Sequence, residues 1–140
     1  MPANPILGGG GFHHVCMKTR DWAGTMRFYQ EGLGCTVKIA WHEAPKRAVM
    51  LDAGDGNYIE VFEDLAWAPA PQGPVYHFAL RTTRLDAVVE RLRGMGVKIT
   101  VEPCDVTIRT TNGAGEVPAR LAFCEGPNGE SIEFLQNSLT

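Results

Sequence analysis

The chain has 140 residues, of which 44% are hydrophobic, 21% charged and 9% aromatic, a composition typical of one globular domain. The 13 Lys and Arg residues and 16 Asp and Glu residues give a formal net charge of -3, which predicts no basic surface for nucleic acid or an anionic membrane. No apolar run approaches the roughly 20 residues that span a bilayer, and the first residues lack the pattern of a secretion signal. We therefore expect a cytoplasmic protein that binds neither nucleic acid nor membrane.

The cysteines are scattered along the chain and form no Cys-x-x-Cys pair. Most of them lie in apolar segments, which is typical of reduced, buried thiols and not of a disulfide framework or a zinc–thiolate site. They are Cys16, Cys35, Cys104 and Cys124.

The sequence contains an internal repeat. His14–Thr19 aligns with His77–Thr82, and five of the six residue pairs share their chemical type. Asp55–Phe62 likewise aligns with Asn128–Leu135, and each of these segments pairs a tight-turn dipeptide with a glutamate-bearing strand. The second copy is longer by about ten residues, which we expect to form a long loop at Glu102–Pro118.

The first copy reads as a strand, a helix and three strands. Its helix begins after the capping residue Asp21 and ends at Gly32 or Gly34. An apolar stripe at helical spacing marks the face that should point to the core: Trp22, Met26, Tyr29 and Leu33. The strands are predicted at His14–Thr19, Thr36–Trp41, Ala48–Leu51 and Tyr58–Phe62.

The second copy repeats this pattern. Its helix is predicted to start at a Thr82 or Thr83 cap and to end at Gly94 or Gly96. The core-facing stripe consists of Leu85, Val88, Val89, Leu92 and Met95. After the strand at His77–Thr82, further strands are predicted at Val97–Val101, Arg120–Cys124 and Ser131–Leu135.

These elements predict an α+β fold. We expect residues 1–140 to form a single domain of two tandem βαβββ modules, residues 12–63 and 75–136, whose curved mixed sheet surrounds a metal-binding cleft. A proline-rich stretch, Glu63–Pro74, would be the extended connector between them.

The alternation of side chains along each strand places a polar residue opposite the apolar face. Two histidines and two glutamates should then share the concave side of the sheet: His14, Glu60, His77 and Glu133. His13 adjoins His14 but would face the opposite side, and His42, near a hairpin end, reads as a surface residue.

Two imidazoles and two carboxylates in a mostly apolar cup would be costly without a compensating cation. Nitrogen and oxygen donors without a thiolate favour zinc or nickel, and after these cobalt, manganese or iron. Four protein ligands leave one or two positions for water or substrate, so the predicted site is able to catalyse a reaction.

The same residues resemble the vicinal oxygen chelate superfamily, which includes glyoxalase I, methylmalonyl-CoA epimerase, extradiol dioxygenases and fosfomycin-resistance thiol transferases. The segment His14–Gly34 carries the resemblance, since Phe28–Gly34 is similar to the family pattern Phe-Tyr-x-x-x-Leu-Gly. The match extends from about Phe12 to Gln136. It implies paired βαβββ modules with a metal in the cleft.

Within this superfamily, the order His, Glu, His, Glu resembles glyoxalase I most closely. The dioxygenases and fosfomycin enzymes have no ligand like Glu60, and the epimerases typically carry glutamine there. The resemblance implies a lyase or isomerase that moves a proton next to a carbonyl group through a metal-stabilised enediolate. Glu133 would be the principal catalytic base, with Glu60 as ligand and possible second base.

The resemblance also implies substrate contacts. Lys18 stands where bacterial glyoxalase I has an arginine that holds glutathione carboxylates, and Arg81 is its counterpart in the second copy. Phe62 and Leu135 would exclude water from the cup. The substrate would be a small molecule, for example a thiol conjugate of a 2-oxoaldehyde, and the protein a homodimer. Asp64, in place of an asparagine, disfavours an anionic conjugate and puts glutathione in doubt.

Alternative functions remain open at this point. The protein could be an epimerase, an extradiol dioxygenase or a thiol transferase of the same superfamily, or a metal-free protein that sequesters a drug. The four ligands could also come from one chain or from two.

Overall fold

The computed structural model describes residues 6, 12, 14–69, 77–109 and 114–138. The chain forms two compact units, Met1–Trp67 and Ala68–Thr140. Among the described residues, no helix has the length and apolar character needed to cross a membrane. His13 and most of the proline-rich part of the predicted connector lie outside the described residues.

The first unit is a four-stranded sheet with one helical segment, in the predicted βαβββ order. Its strands lie in the order β1-β4-β3-β2, with β1 parallel to β4 and the other neighbours antiparallel. The helical segment crosses from β1 to β2 at the opposite edge of the sheet, and β3 and β4 then return so that β4 lies parallel to β1. The elements are β1 (His14–Thr19), α1 (Trp22–Met26), a π-helical segment (Arg27–Gly32), β2 (Thr36–Trp41), β3 (Ala48–Gly54) and β4 (Asn57–Glu63).

The helical segment of this unit starts as predicted, because the Asp21 side chain accepts a hydrogen bond from the Gly24 amide at 3.0 Å. It then widens into π-type bonding, in which the Leu33 amide bonds to the Phe28 carbonyl at 3.1 Å. The buried face is consequently centred on Thr25, Phe28, Tyr29 and Gly32, whereas Trp22, Met26 and Leu33 of the expected stripe are only half-buried.

The second unit repeats the same topology, with strand order β5-β8-β7-β6 and β5 parallel to β8. The helix ends at Gly94 as expected, but its N-cap is Arg84, which makes no side-chain cap hydrogen bond. Thr82 instead accepts from the Arg84 amide, and Gln136 accepts from the Leu85 amide. The elements are β5 (Phe78–Arg81), α2 (Leu85–Gly94), β6 (Ile99–Arg109), β7 (Glu116–Glu125) and β8 (Ser131–Asn137).

The prediction of a long loop at Glu102–Pro118 was wrong. Most of that segment belongs to β6 and β7, which pair in an antiparallel ladder as far as Arg109 and Glu116. Pro118 does not prevent pairing, since it lies opposite Thr107 next to the edge strand β6, whereas the register of β6 shifts between Val101 and Cys104, around Pro103. The extra residues of the second copy therefore lengthen a hairpin.

The core of each unit lies between one sheet face and the helix. In β4 the buried residues Ile59 and Val61 alternate with half-buried Tyr58, Glu60 and Phe62. In β8, Ile132 and Phe134 alternate in the same way with half-buried neighbours. The predicted α+β fold with two βαβββ modules is confirmed.

Candidate functional site

The first candidate pair lies on neighbouring parallel strands. Cys16 of β1 is the register partner of Glu60 of β4, so His14, two residues earlier on β1, faces the same side. The Nε2 atom of His14 is 3.4 Å from Oε2 of Glu60. The His14 side chain is 38% exposed and the Glu60 side chain 15% exposed. An imidazole and a carboxylate thus meet at the open side of the first sheet.

The second unit repeats this arrangement. Ala79 of β5 is the register partner of Glu133 of β8, and His77 lies just before β5. Nε2 of His77 is 2.9 Å from Oε2 of Glu133, with side-chain exposures of 31% and 13%. The Nδ1 atom of His77 is buried. Nε2 is therefore the ring nitrogen that faces the carboxylate.

Two neighbours of these pairs, Cys16 and Phe123, were not among the predicted site residues. The Cys16 thiol donates a hydrogen bond to Glu60, and burial together with this carboxylate raises the pKa of Cys16 to about 11. Phe123 of β7 lies opposite Glu133 and packs edge-on against the His77 ring, with centroids 5.3 Å apart. Counting back from the Asn128-Gly129 turn would have placed Phe123 beside Glu133.

The predicted substrate residue Lys18 is already paired. Its Nζ atom is 3.1 Å from Oδ2 of Asp64, and this contact lowers the pKa of Asp64. The repeat equivalents of these two residues are Arg81 and Asn137, so the second unit has an amide where the first has a carboxylate. The two units therefore present different charge at the same place.

The other two predicted substrate residues are apolar and half-buried. Phe62 packs edge-on against Trp41, with ring centroids 5.7 Å apart. Leu135 lies opposite Arg81 and Leu121 in the sheet of the second unit. His42 is exposed, as expected for a surface residue.

A charged contact that the sequence analysis did not identify lies near the helical segment of the first unit. Glu63 binds the Arg47 guanidinium through two side-chain hydrogen bonds of 2.8 and 2.7 Å. The guanidinium also lies 4.9 Å from the centre of the Trp22 ring. Arg47 lowers the pKa of Glu63, because hydrogen bonding and opposite charge favour the ionised carboxylate.

The second unit has an arginine at the equivalent place, Arg120, but Gln136 replaces the glutamate. Arg120 instead binds Asp86 of α2 through two hydrogen bonds and Asp105 of β6 through a third, and these contacts hold its pKa above the ordinary value. Arg120 lines an open cleft of about 600 Å³ in this unit. The contact with Asp86 places Arg120 on the side of the sheet that carries α2.

Among the described residues, no group of three or more His, Cys, Asp and Glu side chains has the geometry of a metal site. Each unit instead offers one imidazole nitrogen and one carboxylate oxygen in contact. These are donors that zinc and nickel accept.

A family model described as "Glyoxalase/Bleomycin resistance protein/Dioxygenase superfamily" matches residues 11–134. The chain belongs to this superfamily. The predicted resemblance is thereby confirmed. A curated relative is the uncharacterized protein YwbC of Bacillus subtilis (strain 168), which is 30% identical over 127 residues covering 88% of this chain and 94% of that protein.

Solved structures share the fold of this chain at low sequence identity. The trypanothione-dependent glyoxalase I of Leishmania major matches with a TM-score of 0.69 at 21% identity, over 91% of this chain and 86% of that one. TnmS3, an antibiotic-binding protein of Streptomyces sp. CB03234, matches with a TM-score of 0.62 at 23% identity, over 92% and 97% of the two chains. The same fold therefore occurs in an enzyme and in an antibiotic-binding protein.

Proposed function

We propose that this protein is a metal-dependent, glyoxalase I-like lyase or isomerase that moves a proton next to a carbonyl group. The observation that carries the proposal is the matched pair of contacts, His14 with Glu60 and His77 with Glu133, at equivalent positions of the two repeats. Membership of the superfamily and the fold of the Leishmania glyoxalase I support it.

The metal ligands in this proposal are His14, Glu60, His77 and Glu133. Their two nitrogens and two oxygens fit a divalent cation of the zinc or nickel class. When bound, such a cation would supply Lewis-acid stabilisation of negative charge on two neighbouring substrate oxygens. The nitrogen facing each glutamate is Nε2, the atom that each histidine would offer.

Glu133 is the proposed base that takes the proton from carbon and returns it to the neighbouring carbon. Its side chain is 13% exposed and lies between Ala79 and Phe123, which carry no hydrogen-bonding group in their side chains. A carboxylate beside the reacting carbon can serve as a general base. Glu60 would remain a ligand and serve as a second base.

The substrate is proposed to be a thiol conjugate of a 2-oxoaldehyde, with the reacting part against Phe62 and Leu135. Lys18 and Arg81 would hold its polar end. Because Asp64 neutralises Lys18, the first unit offers less attraction for a carboxylate than Lys18 alone would. A thiol other than glutathione therefore fits this chain at least as well, as the trypanothione dependence of the Leishmania relative illustrates.

We further propose that the protein acts in the cytoplasm as a homodimer. The edge strand β2 exposes Val37 and Ile39, apolar side chains that association with a second copy would remove from water. Sedimentation equilibrium would test this, and a monomer at micromolar concentration would contradict it.

The decisive experiment is an assay of the metal-reconstituted protein with methylglyoxal and glutathione, and in parallel with other thiols. Glu133→Gln should lower kcat by at least about a hundredfold, since it removes the base but keeps the side-chain size. Exposed Glu125→Gln on β7 is the matched control and should leave turnover unchanged. Turnover unaffected by Glu133→Gln would refute Glu133 as the base.

The fold of TnmS3 favours one second candidate, a metal-free protein that binds an antibiotic-sized molecule. Metal analysis of the purified protein separates the two, because the proposed enzyme carries about one divalent ion per site. Oxygen uptake with catechols would instead indicate a dioxygenase.

A further inference from the structure

The two His–Glu pairs have different neighbours at the same register position. Cys16 lies opposite Glu60 on the parallel strands of the first unit, and Ala79 lies opposite Glu133 in the second. The Cys16 thiol donates a hydrogen bond to the Glu60 carboxylate, whereas the methyl group of Ala79 has nothing to donate. Glu60 and Glu133 therefore occupy equivalent positions of the repeat, and only Glu60 has a thiol opposite it.

Glu60 consequently contacts two side chains on one face of β1. His14 approaches one carboxylate oxygen to 3.4 Å, and Cys16 follows two residues later on the same face of β1. A carboxylate tethered by a neighbouring strand loses rotamer freedom before any ligand arrives. Glu60 therefore has a thiol neighbour in addition to its histidine, which the alanine opposite Glu133 cannot supply.

We infer that Cys16 is a positioning residue that fixes the Glu60 carboxylate for binding a divalent cation. The inference rests on the proposed function, since it takes Glu60 as a ligand. The thiol is not a ligand in this arrangement and acts through the carboxylate. Ala79 offers Glu133 no such donor, and the Glu133 carboxylate contacts Nε2 of His77 at 2.9 Å.

The test is a titration of the purified full-length protein with Co²⁺ alone, followed by its visible absorption and by competition with a chelator. Loss of a hydrogen-bonding partner behind a ligand typically weakens metal binding 10–100-fold, so Cys16→Ala should raise the Kd for Co²⁺ about tenfold. Cys16→Ser keeps a hydroxyl donor and should remain within about twofold of the unaltered protein. Cys104→Ala, on β6 of the second unit, is the matched cysteine control and should leave the Kd unchanged.

A double-mutant cycle shows whether Cys16 acts through Glu60. In a Glu60→Gln background, Cys16→Ala should change the Kd by less than about twofold, because the carboxylate that the thiol holds is gone. An equal loss in both backgrounds would overturn the inference, as would a Cys16→Ala protein with unaltered affinity.

These results separate the inference from the proposed function. If the unaltered protein binds Co²⁺ and Glu60→Gln weakens binding while Cys16→Ala does not, only the role of Cys16 is refuted. If the unaltered protein binds no Co²⁺, the metal-dependent function and the inference are both refuted.

Discussion

Single residues show how the repeat keeps a position while changing its chemistry. Arg47 and Arg120 occupy equivalent places, yet Arg47 is held by a buried glutamate and Arg120 by two aspartates at the surface. The replacement of Glu63 by Gln136 accounts for the difference, because an amide supplies no negative charge. Gln136 instead accepts a hydrogen bond from the Leu85 amide at the start of α2.

The Glu63–Arg47 contact should make stability depend on pH. The folded protein holds the pKa of Glu63 below its ordinary value of 4.5, so the unfolded chain binds the proton more readily. The stabilisation is therefore present above pH 4.5 and is lost as the pH falls through the lower folded pKa. Urea unfolding between pH 7 and pH 3 should show this loss.

Glu63→Gln introduces the residue that the second unit has at this position, Gln136. It tests whether Glu63 causes the pH dependence of stability. This variant should be less stable than the unaltered protein at pH 7 and should lose less stability on acidification. Exposed Glu43→Gln should behave like the unaltered protein at both pH values. An identical pH profile for Glu63→Gln and the unaltered protein would show that another group is responsible.

At the scale of elements, strand lengths and helix ends distinguish the two modules. The second helix stops where Met95 caps it and Gly96 takes a φ of +80°, a conformation that glycine adopts without strain. Gly94, two residues earlier, ends the helix itself, and apart from its chain neighbours and its own helix backbone no atom of the described residues lies within 4 Å of where its Cβ would be. Glycine is therefore favoured by the backbone conformation at position 96, whereas position 94 has room for a larger residue.

Alanine should lower the stability of the protein at position 96 but not at position 94. Gly96→Ala should cost about 1 kcal/mol, because a Cβ is unfavourable in the left-handed region. Gly94→Ala should be neutral or stabilise the protein by about 0.5 kcal/mol, since alanine narrows the unfolded ensemble and favours the helix. Thermal unfolding of both variants measures this, and similar losses at both positions would contradict the assigned helix end.

At the scale of the whole molecule, the chain carries two equivalent His–Glu pairs, one in each unit. Each unit sets one imidazole and one carboxylate side by side on the half-exposed side of a mixed sheet, while its apolar side is buried. A cation that binds only the folded protein shifts the unfolding equilibrium toward the folded state.

Zinc or nickel should accordingly raise the melting temperature of the protein. At a free metal concentration of 100 times Kd the gain is about 2.7 kcal/mol, or roughly 5–10 °C for a chain of this size. Magnesium, which prefers oxygen ligands, should have little effect at the same concentration, and His77→Ala should reduce the response to zinc. A melting temperature that does not respond to zinc or nickel would count against a metal site.

The sequence by itself determined the doubled βαβββ order, because both copies repeat the same alternation of apolar and polar residues and the same turn signals. It also singled out the residues of the two His–Glu pairs. It did not reveal that β6 and β7 extend through Glu102–Pro118, since prolines and glycines read as a loop until a partner strand is present to pair with them. Tertiary structure alone decided which residues face each other across strands. Cys16 beside Glu60, Phe123 beside His77 and the different partners of Arg47 and Arg120 all depend on strand register, which is set by long-range pairing and not by local sequence.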